Sequence, residues 1–194
     1  MLIIGITGTI GAGKGTIVDF LTKEKGFVHF SVRAYIAEEI IRRGMVVNRD
    51  SMVLVANNLR KDNSPSYITD RLYEKAIATG KDNIIESIRT PGEVYSLREK
   101  GGFYLLAVDA DPEVLYKRIS VRNSETDSVS FETFLDNEKR EMNSTDPNAQ
   151  NIGKCIELAD FKLWNNGTME QLNRQVEEIL GEIRRKGDRE TLGI

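Results

Sequence analysis

The sequence predicts an α/β fold in which helices cover both faces of a doubly wound parallel sheet, in three layers. Short apolar runs alternate with stretches of helical spacing, as successive strand–helix units require. The first run ends in a glycine-rich turn that opens a helix. The length, 194 residues, suits a single domain able to bury a full core without staples.

Taken in order, residues 2–7 (LIIGIT) read as a buried strand, and Ile17, Val18, Phe20 and Leu21 give the following segment helical spacing. A second short strand is expected at 27–30. Ile36, Ile40 and Ile41 form one apolar helix stripe, closed by Gly44. Residues 50–62 and 66–79 read as helices split by Ser64-Pro65, and 83–86 as a strand. A helix over 91–100 begins with proline in its first turn. A strand over 103–108, a helix over 112–122 and a strand over 160–164 follow. Met169, Leu172, Val176, Ile179, Leu180 and Ile183 share one face of a last helix over 168–185, with a frayed tail over 187–194. Residues 123–150 interrupt the alternation: they are polar around one amphipathic segment, 131–142, and read as a lid-like insertion. The single domain thus divides into a core (1–30, 81–122, 159–185), helices over 31–80 and the lid.

Composition excludes several classes. Hydrophobic residues make up 40% and charged residues 29%, too apolar for a disordered chain. No run is long enough to span a membrane, and the amino end lacks the basic segment of a signal peptide. With 27 basic and 30 acidic side chains the net charge is −3, against a nonspecific nucleic-acid binder. The single cysteine, Cys155, precludes an internal disulfide and a cysteine zinc site, and the single histidine, His29, precludes a histidine metal cluster. A cytoplasmic location is expected, with neither a membrane nor a nucleic acid as partner; monomer and homodimer stay open.

The chemistry concentrates in Gly8-Thr9-Ile10-Gly11-Ala12-Gly13-Lys14-Gly15-Thr16, between a strand and a helix. Glycines at 8, 11, 13 and 15 with Ala12 let the main chain curl so that its N–H groups converge on one anion. The helix start adds unpaired N–H groups and a positive dipole end. Lys14 brings a charge to the β and γ phosphates, and Thr16 a hydroxyl near the phosphates and their metal. The general pattern puts serine or threonine directly after the lysine; here Gly15 intervenes. That variant resembles the adenylate-kinase-type nucleoside monophosphate kinases.

The resemblance extends along the chain. Ile84-Ile85-Glu86-Ser87-Ile88-Arg89-Thr90 resembles the segment reading LLDGFPRT in adenylate kinases. It implies that Glu86 stands near magnesium and its waters, and that Arg89 grips the acceptor phosphate; Glu86 as a base for a hydroxyl stays open. The segment 111–122 resembles the helix leading into the lid, which implies that Arg118 and Arg122, one turn apart, serve ATP. Ala159-Asp160-Phe161-Lys162-Leu163-Trp164-Asn165-Asn166-Gly167-Thr168 is similar to a motif of dephospho-CoA kinases and archaeal proteins like them. It implies that the loop at Asn166 and Gly167 passes the adenine. Residues 31–37 carry neither the STGDxxR motif of adenylate kinases nor the aspartate of dephospho-CoA kinases. Arg33, Arg42, Arg43 and Arg60 read as lining an anionic acceptor pocket or as solvated helix faces, the second for all but Arg33. Arg140 reads as a lid arginine or as a solvated partner of its neighbouring glutamates.

The implied activity is ATP- and Mg²⁺-dependent phosphoryl transfer to a small nucleotide-like acceptor, foremost a nucleoside or deoxynucleoside monophosphate. A phosphate acceptor needs no strong base, which fits the missing acid in 31–37. Transfer to a hydroxyl, as in dephospho-CoA kinases, and a regulatory nucleotide-binding protein with slow ATP hydrolysis are the alternatives. Of the remaining residues, His29 reads as a core or strand-end histidine, Cys155 as a buried small hydrophobe and Trp164 as packing. Asp109 and Asp111 read as caps of the helix at Pro112 or as metal-water ligands.

Overall fold

A computed structural model describes the backbone of residues 1–122 and 129–192 and the side chains of residues 1–121 and 129–187. The expected lid boundary at 123–128 and the side chain of Arg122 lie outside the described residues.

Five parallel strands form one sheet in the order β2-β3-β1-β4-β5. They are β1 (Ile3–Gly8), β2 (Val28–Ser31), β3 (Asn83–Glu86), β4 (Phe103–Asp109) and β5 (Phe161–Trp164). The three inner strands are apolar along almost their whole length because both faces are covered. Ile4, Ile6, Ile84, Ile85, Leu105 and Leu106 are each fully buried, at roughly 1.5–3 kcal/mol apiece. The edge strands are half exposed.

On one face α1 (Lys14–Lys25), α6 (Pro112–Arg122), α7 (Phe131–Met142) and α9 (Met169–Leu192) close a core around Ile17, Leu21, Leu115, Phe134 and Val176. On the other, α2 (Val32–Arg42), α3 (Arg49–Asp62), α4 (Tyr67–Ile77), α5 (Pro91–Glu99) and α8 (Ile152–Leu158) pack around Ile36, Val55, Leu72, Leu97 and Cys155. These are the three layers that the alternation predicts.

The chain leaves β1 for β2, returns through β3 to pair with one side of β1, then crosses to β4 on the other. The strand order therefore reverses at β1. The crevice of a doubly wound sheet lies at the carboxyl ends of its strands where that reversal occurs. Both β1 and β3 deliver their last residues, Gly8 and Glu86, to it.

Three expectations are corrected here. His29 is no core residue: it is an exposed position of β2, with its ring Nε2 3.9 Å from Glu86 Oε2. As an edge strand, β2 leaves that side uncovered. The last helix does not fray at 187 but continues to Leu192. The short helix α8 has no counterpart among the predicted elements. Its polar lead-in, 143–150, hides the boundary, and the side chain of Asn151 caps it by accepting from the backbone N–H of Lys154.

Candidate functional site

The loop after β1 curls as its glycines require. Gly8, Gly11 and Gly13 have φ of 138°, 79° and 106°, which side chains with a Cβ rarely adopt. A Cβ at Gly13 would also stand 2.4 Å from Asn165 Nδ2. No side chain caps the start of α1, and its first turn holds no acidic residue. The Gly13 carbonyl takes the N–H groups of Thr16 and Ile17, and no side chain takes those of Lys14 and Gly15, which face an external acceptor.

Lys14 folds back over the loop, donating from Nζ to the carbonyls of Gly8 (2.9 Å) and Thr9 (2.7 Å). Burial, then the Arg89 guanidinium, lowers its pKa to about 8, with Glu86, Glu138 and Glu141 opposing. Thr16 is half-buried in the first turn of α1. Ala12 is fully buried, and its carbonyl accepts from Asn165 Nδ2 at 2.8 Å.

At the end of β3, Glu86 accepts from Ser87 Oγ (2.5 Å) and from Ser31 Oγ (3.2 Å). Ser87 is held at φ 72°, and the N–H groups of Ser87 and Ile88 both donate to the Ile6 carbonyl. Strain of this kind clusters at functional sites. Thr16 and Glu86 offer oxygen donors, the chemistry Mg²⁺ prefers. Among the described residues no group of three or more His, Cys, Asp or Glu could hold a metal. A cation that keeps several waters and takes phosphate oxygens needs no such group.

Arg89 is half-buried and clamped from outside the sheet: Nη1 donates to Glu141 Oε2 (2.7 Å) and to Gln150 Oε1 (2.6 Å). Its backbone is fixed from inside. The fully buried Glu93 accepts from the N–H groups of Arg89 (2.8 Å) and Thr90 (3.1 Å), and in return Thr90 caps α5. The other oxygen of Glu93 accepts from Nε and Nη2 of Arg60, itself 1% exposed. The expectation of a solvated Arg60 is therefore wrong. Arg42 and Arg43 pair with Glu39 as solvated side chains do.

Helix α7 brings acids, not a base, to the loop. Arg140 is exposed and donates to Asn137. One turn of α7 instead aims Glu138 and Glu141 inward. Glu138 accepts from the backbone N–H of Ile10, and burial, then Glu141, raises its pKa to about 7. Burial works against the Glu141 carboxylate too, yet Arg89 and Arg49 hold it below its usual range. The i, i+3 spacing puts both acids on one face, but sequence alone does not say which way that face looks.

A cavity of about 100 Å³ opens beside Ile10, Ser87 and Arg89 and runs between α2 and α3 past Arg33, Arg49 and Arg60. On the opposite flank of the loop, Trp164, Asn165, Gly167, Gln171 and Arg174 line a second cavity of about 280 Å³. Trp164 is exposed at its rim rather than packed, which corrects the expectation. Arg118 donates to the carbonyls of Asn165 and Gly167, so it fastens this loop. Asn166 faces Asp111, exchanging hydrogen bonds with its backbone N–H and carboxylate. Asp109 accepts from Thr9 Oγ1 at 2.6 Å. Cys155 is buried as expected, and burial, then Glu93, pushes its thiol up to about 12.

The reasoning from sequence passed over Asn165, Glu93, Glu138, Glu141, Arg49 and Gln150. A signal existed for Glu93: Thr90-Pro91-Gly92-Glu93 has the spacing of a capping box. For the others the partners are distant in sequence.

The arrangement matches known proteins. The structure of a gluconokinase from Sinorhizobium meliloti 1021 superposes with a TM-score of 0.59 at 14% identity, covering 99% of this chain and 97% of that one. Shikimate kinase from Aquifex aeolicus superposes with a TM-score of 0.52 at 13% identity, covering 93% and 97%. The fold is that of the P-loop kinases. UPF0200 protein MJ1399 from Methanocaldococcus jannaschii is 30% identical over 191 residues, 94% of this chain and 91% of the relative. A family model described as an AAA domain, AAA_18, matches residues 4–144. With the phosphate loop, strands β2, β3 and β4, nearly all of β1 and the whole of α7 inside that match, the chain belongs to the AAA_18 family of AAA domains and is a UPF0200 protein.

Proposed function

We propose that the protein transfers the γ-phosphoryl group of ATP to a small anionic acceptor, a nucleoside or deoxynucleoside monophosphate. One observation carries the reading. Beside the phosphate loop, the cavity towards α2 and α3 is lined by Arg33, Arg49, Arg60 and Arg89, whereas the cavity beside Trp164 has Arg174 as its single cationic side chain. A protein that merely held ATP would have no use for that second cationic cavity.

In this reading the loop amides and Lys14 hold the β and γ phosphates, with Gly8, Gly11, Ala12, Gly13, Gly15 and Thr16 forming the cradle. Lys14 must release the carbonyls of Gly8 and Thr9 to do so. Beyond its own helix backbone and chain neighbours, Gly15 has no described atom within 4 Å of where a Cβ would stand, space that an approaching phosphate would use. Asn166 and Gly167 belong to the loop beside the adenine, which Arg118 holds in place. Arg122 follows Arg118 by one turn and serves the same nucleotide. Arg89 turns from Glu141 and Gln150 to fork onto the acceptor phosphate. Magnesium, when bound with the nucleotide, neutralises phosphate charge, and Thr16 and Glu86 would hold it. The segment from 123 to 150 acts as the lid, excluding water from the transfer.

The test is ADP release from Mg–ATP with a panel of nucleoside monophosphates and dephospho-CoA. Acceptor-dependent release with a monophosphate, abolished by Lys14→Ala, is expected. Slow release that ignores every acceptor refutes a kinase, and stimulation by dephospho-CoA alone moves the reading to a hydroxyl acceptor.

A further inference from the structure

The acceptor cavity has a polar feature that the anionic end of a monophosphate does not use. Its cationic side chains are of two kinds. Arg49 and Arg89 are part exposed, with side chains 29% and 24% accessible, and can turn toward a phosphate. Arg60 is different. It is 1% exposed, lies in the cavity wall among Val32, Ile36, Met52 and Ala56, and is locked to Glu93 through Nε and Nη2. Its third nitrogen, Nη1, is buried and has no hydrogen-bond partner among the described residues. An unmet buried donor is costly, and such groups are rare unless something supplies the missing acceptor.

The charge of that partner follows from the pair. Glu93 is fully buried and neutralises Arg60. Nη1 is thus a donor on a neutral pair, set among Val32, Ile36, Met52 and Ala56, and a neutral acceptor is enough to match it. A neutral carbonyl oxygen satisfies it. An amino group does not, because it would set donor against donor with both desolvated.

We propose that Arg60 determines acceptor specificity by donating from Nη1 to a keto oxygen on the acceptor's base, at the ring position distal to the sugar. The inference rests on the reading of this cavity as the acceptor site. It selects uracil, thymine, hypoxanthine or guanine nucleotides over cytosine and adenine nucleotides. Size does not produce this choice, since each keto base has an amino counterpart of nearly equal volume.

Matched pairs test it: UMP against CMP, and IMP against AMP, by calorimetric binding and by kcat/KM for ADP release. Losing the hydrogen bond and burying two facing donors predicts a preference of about 10- to 100-fold for the keto member of each pair in both measurements. Replacing the pair by Arg60→Met with Glu93→Gln avoids a stranded carboxylate. If that variant melts cooperatively and still binds ATP, its preference should fall to about twofold. If it does not fold, the matched pairs on the unaltered protein decide alone. Equal binding within each pair, or a preference that survives in the folded variant, overturns the role of Arg60. Turnover with equal pairs would leave the kinase reading standing and remove only this inference. Preferential binding of UMP and IMP without turnover would do the reverse, and no binding of any of the four overturns both.

Discussion

Gly13 and Gly15 stand two residues apart in the phosphate loop, and alanine at each should act through opposite physics. Gly13 has φ 106°, and an added Cβ would lie 2.4 Å from Asn165 Nδ2, which holds the Ala12 carbonyl at 2.8 Å. Gly13→Ala therefore combines backbone strain of about 1–3 kcal/mol with loss or distortion of a buried hydrogen bond worth about 1 kcal/mol. For a chain of this length, each kcal/mol moves Tm by about 2–4 °C, so a fall of about 5–15 °C is expected. Gly15 lies in the first turn of α1, and beyond its own helix backbone and chain neighbours a Cβ there would meet no described atom within 4 Å. Gly15→Ala should leave Tm unchanged or raise it, with up to about 1 kcal/mol gained from helix propensity. Its methyl group would nonetheless occupy the space assigned to phosphate, and ATP affinity should fall about tenfold or more, a change of about 1.4 kcal/mol. Thermal melts followed by circular dichroism and calorimetric titration with Mg–ATP measure both effects. If Gly13→Ala melts with the unaltered protein, the strain argument fails. If Gly15→Ala binds ATP normally, the phosphates do not approach that backbone.

Other perturbations separate the remaining parts of the site. Arg89→Ala should raise KM for the acceptor about tenfold or more while changing KM for ATP little, read from initial rates with each substrate varied; equal effects would remove Arg89 from the acceptor side. Glu138→Gln tests the contact of α7 with the loop through pH. The folded-state pKa of Glu138, about 7, lies above the ordinary value of 4.5, so the folded protein binds the extra proton between those values and stability is lost as pH rises through 7. The variant should thus melt higher than the unaltered protein at pH 8 and nearly equally at pH 4, below the ordinary value; the same difference at both would show that the carboxyl does not titrate there. Lys14 has its pKa lowered to about 8. Triphosphate beside it should restore the charge, so ATP binding near pH 8 should be accompanied by proton uptake, seen as a dependence of the binding heat on the buffer's ionisation enthalpy. A heat independent of buffer would contradict the contact between Lys14 and phosphate.

Much of this protein is fixed by local pattern. Strand alternation, the glycine turn and the proline at 91 each express a constraint acting within a few residues. The strands and most helix boundaries were accordingly legible, as was the phosphate loop at 8–16. The errors have one source. His29 and Trp164 lie on edge strands, where burial depends on whether a neighbour covers that side, and residue type does not report this. Arg60 is charged yet buried because Glu93, 33 residues away, neutralises it. Arg140 was singled out for its charge, whereas helix rotation turns Glu138 and Glu141 to the loop.

The amino-acid sequence by itself determined where an anion could be held, because a curled main chain followed by a helix start needs only contiguous residues. What faces that anion was decided by tertiary structure. The clamp of Glu141 on Arg89 joins residues 52 apart and the tie of Asn165 to Ala12 joins residues 153 apart. Contacts between such distant residues follow from how helices pack on the sheet, and no short stretch of chain carries that information.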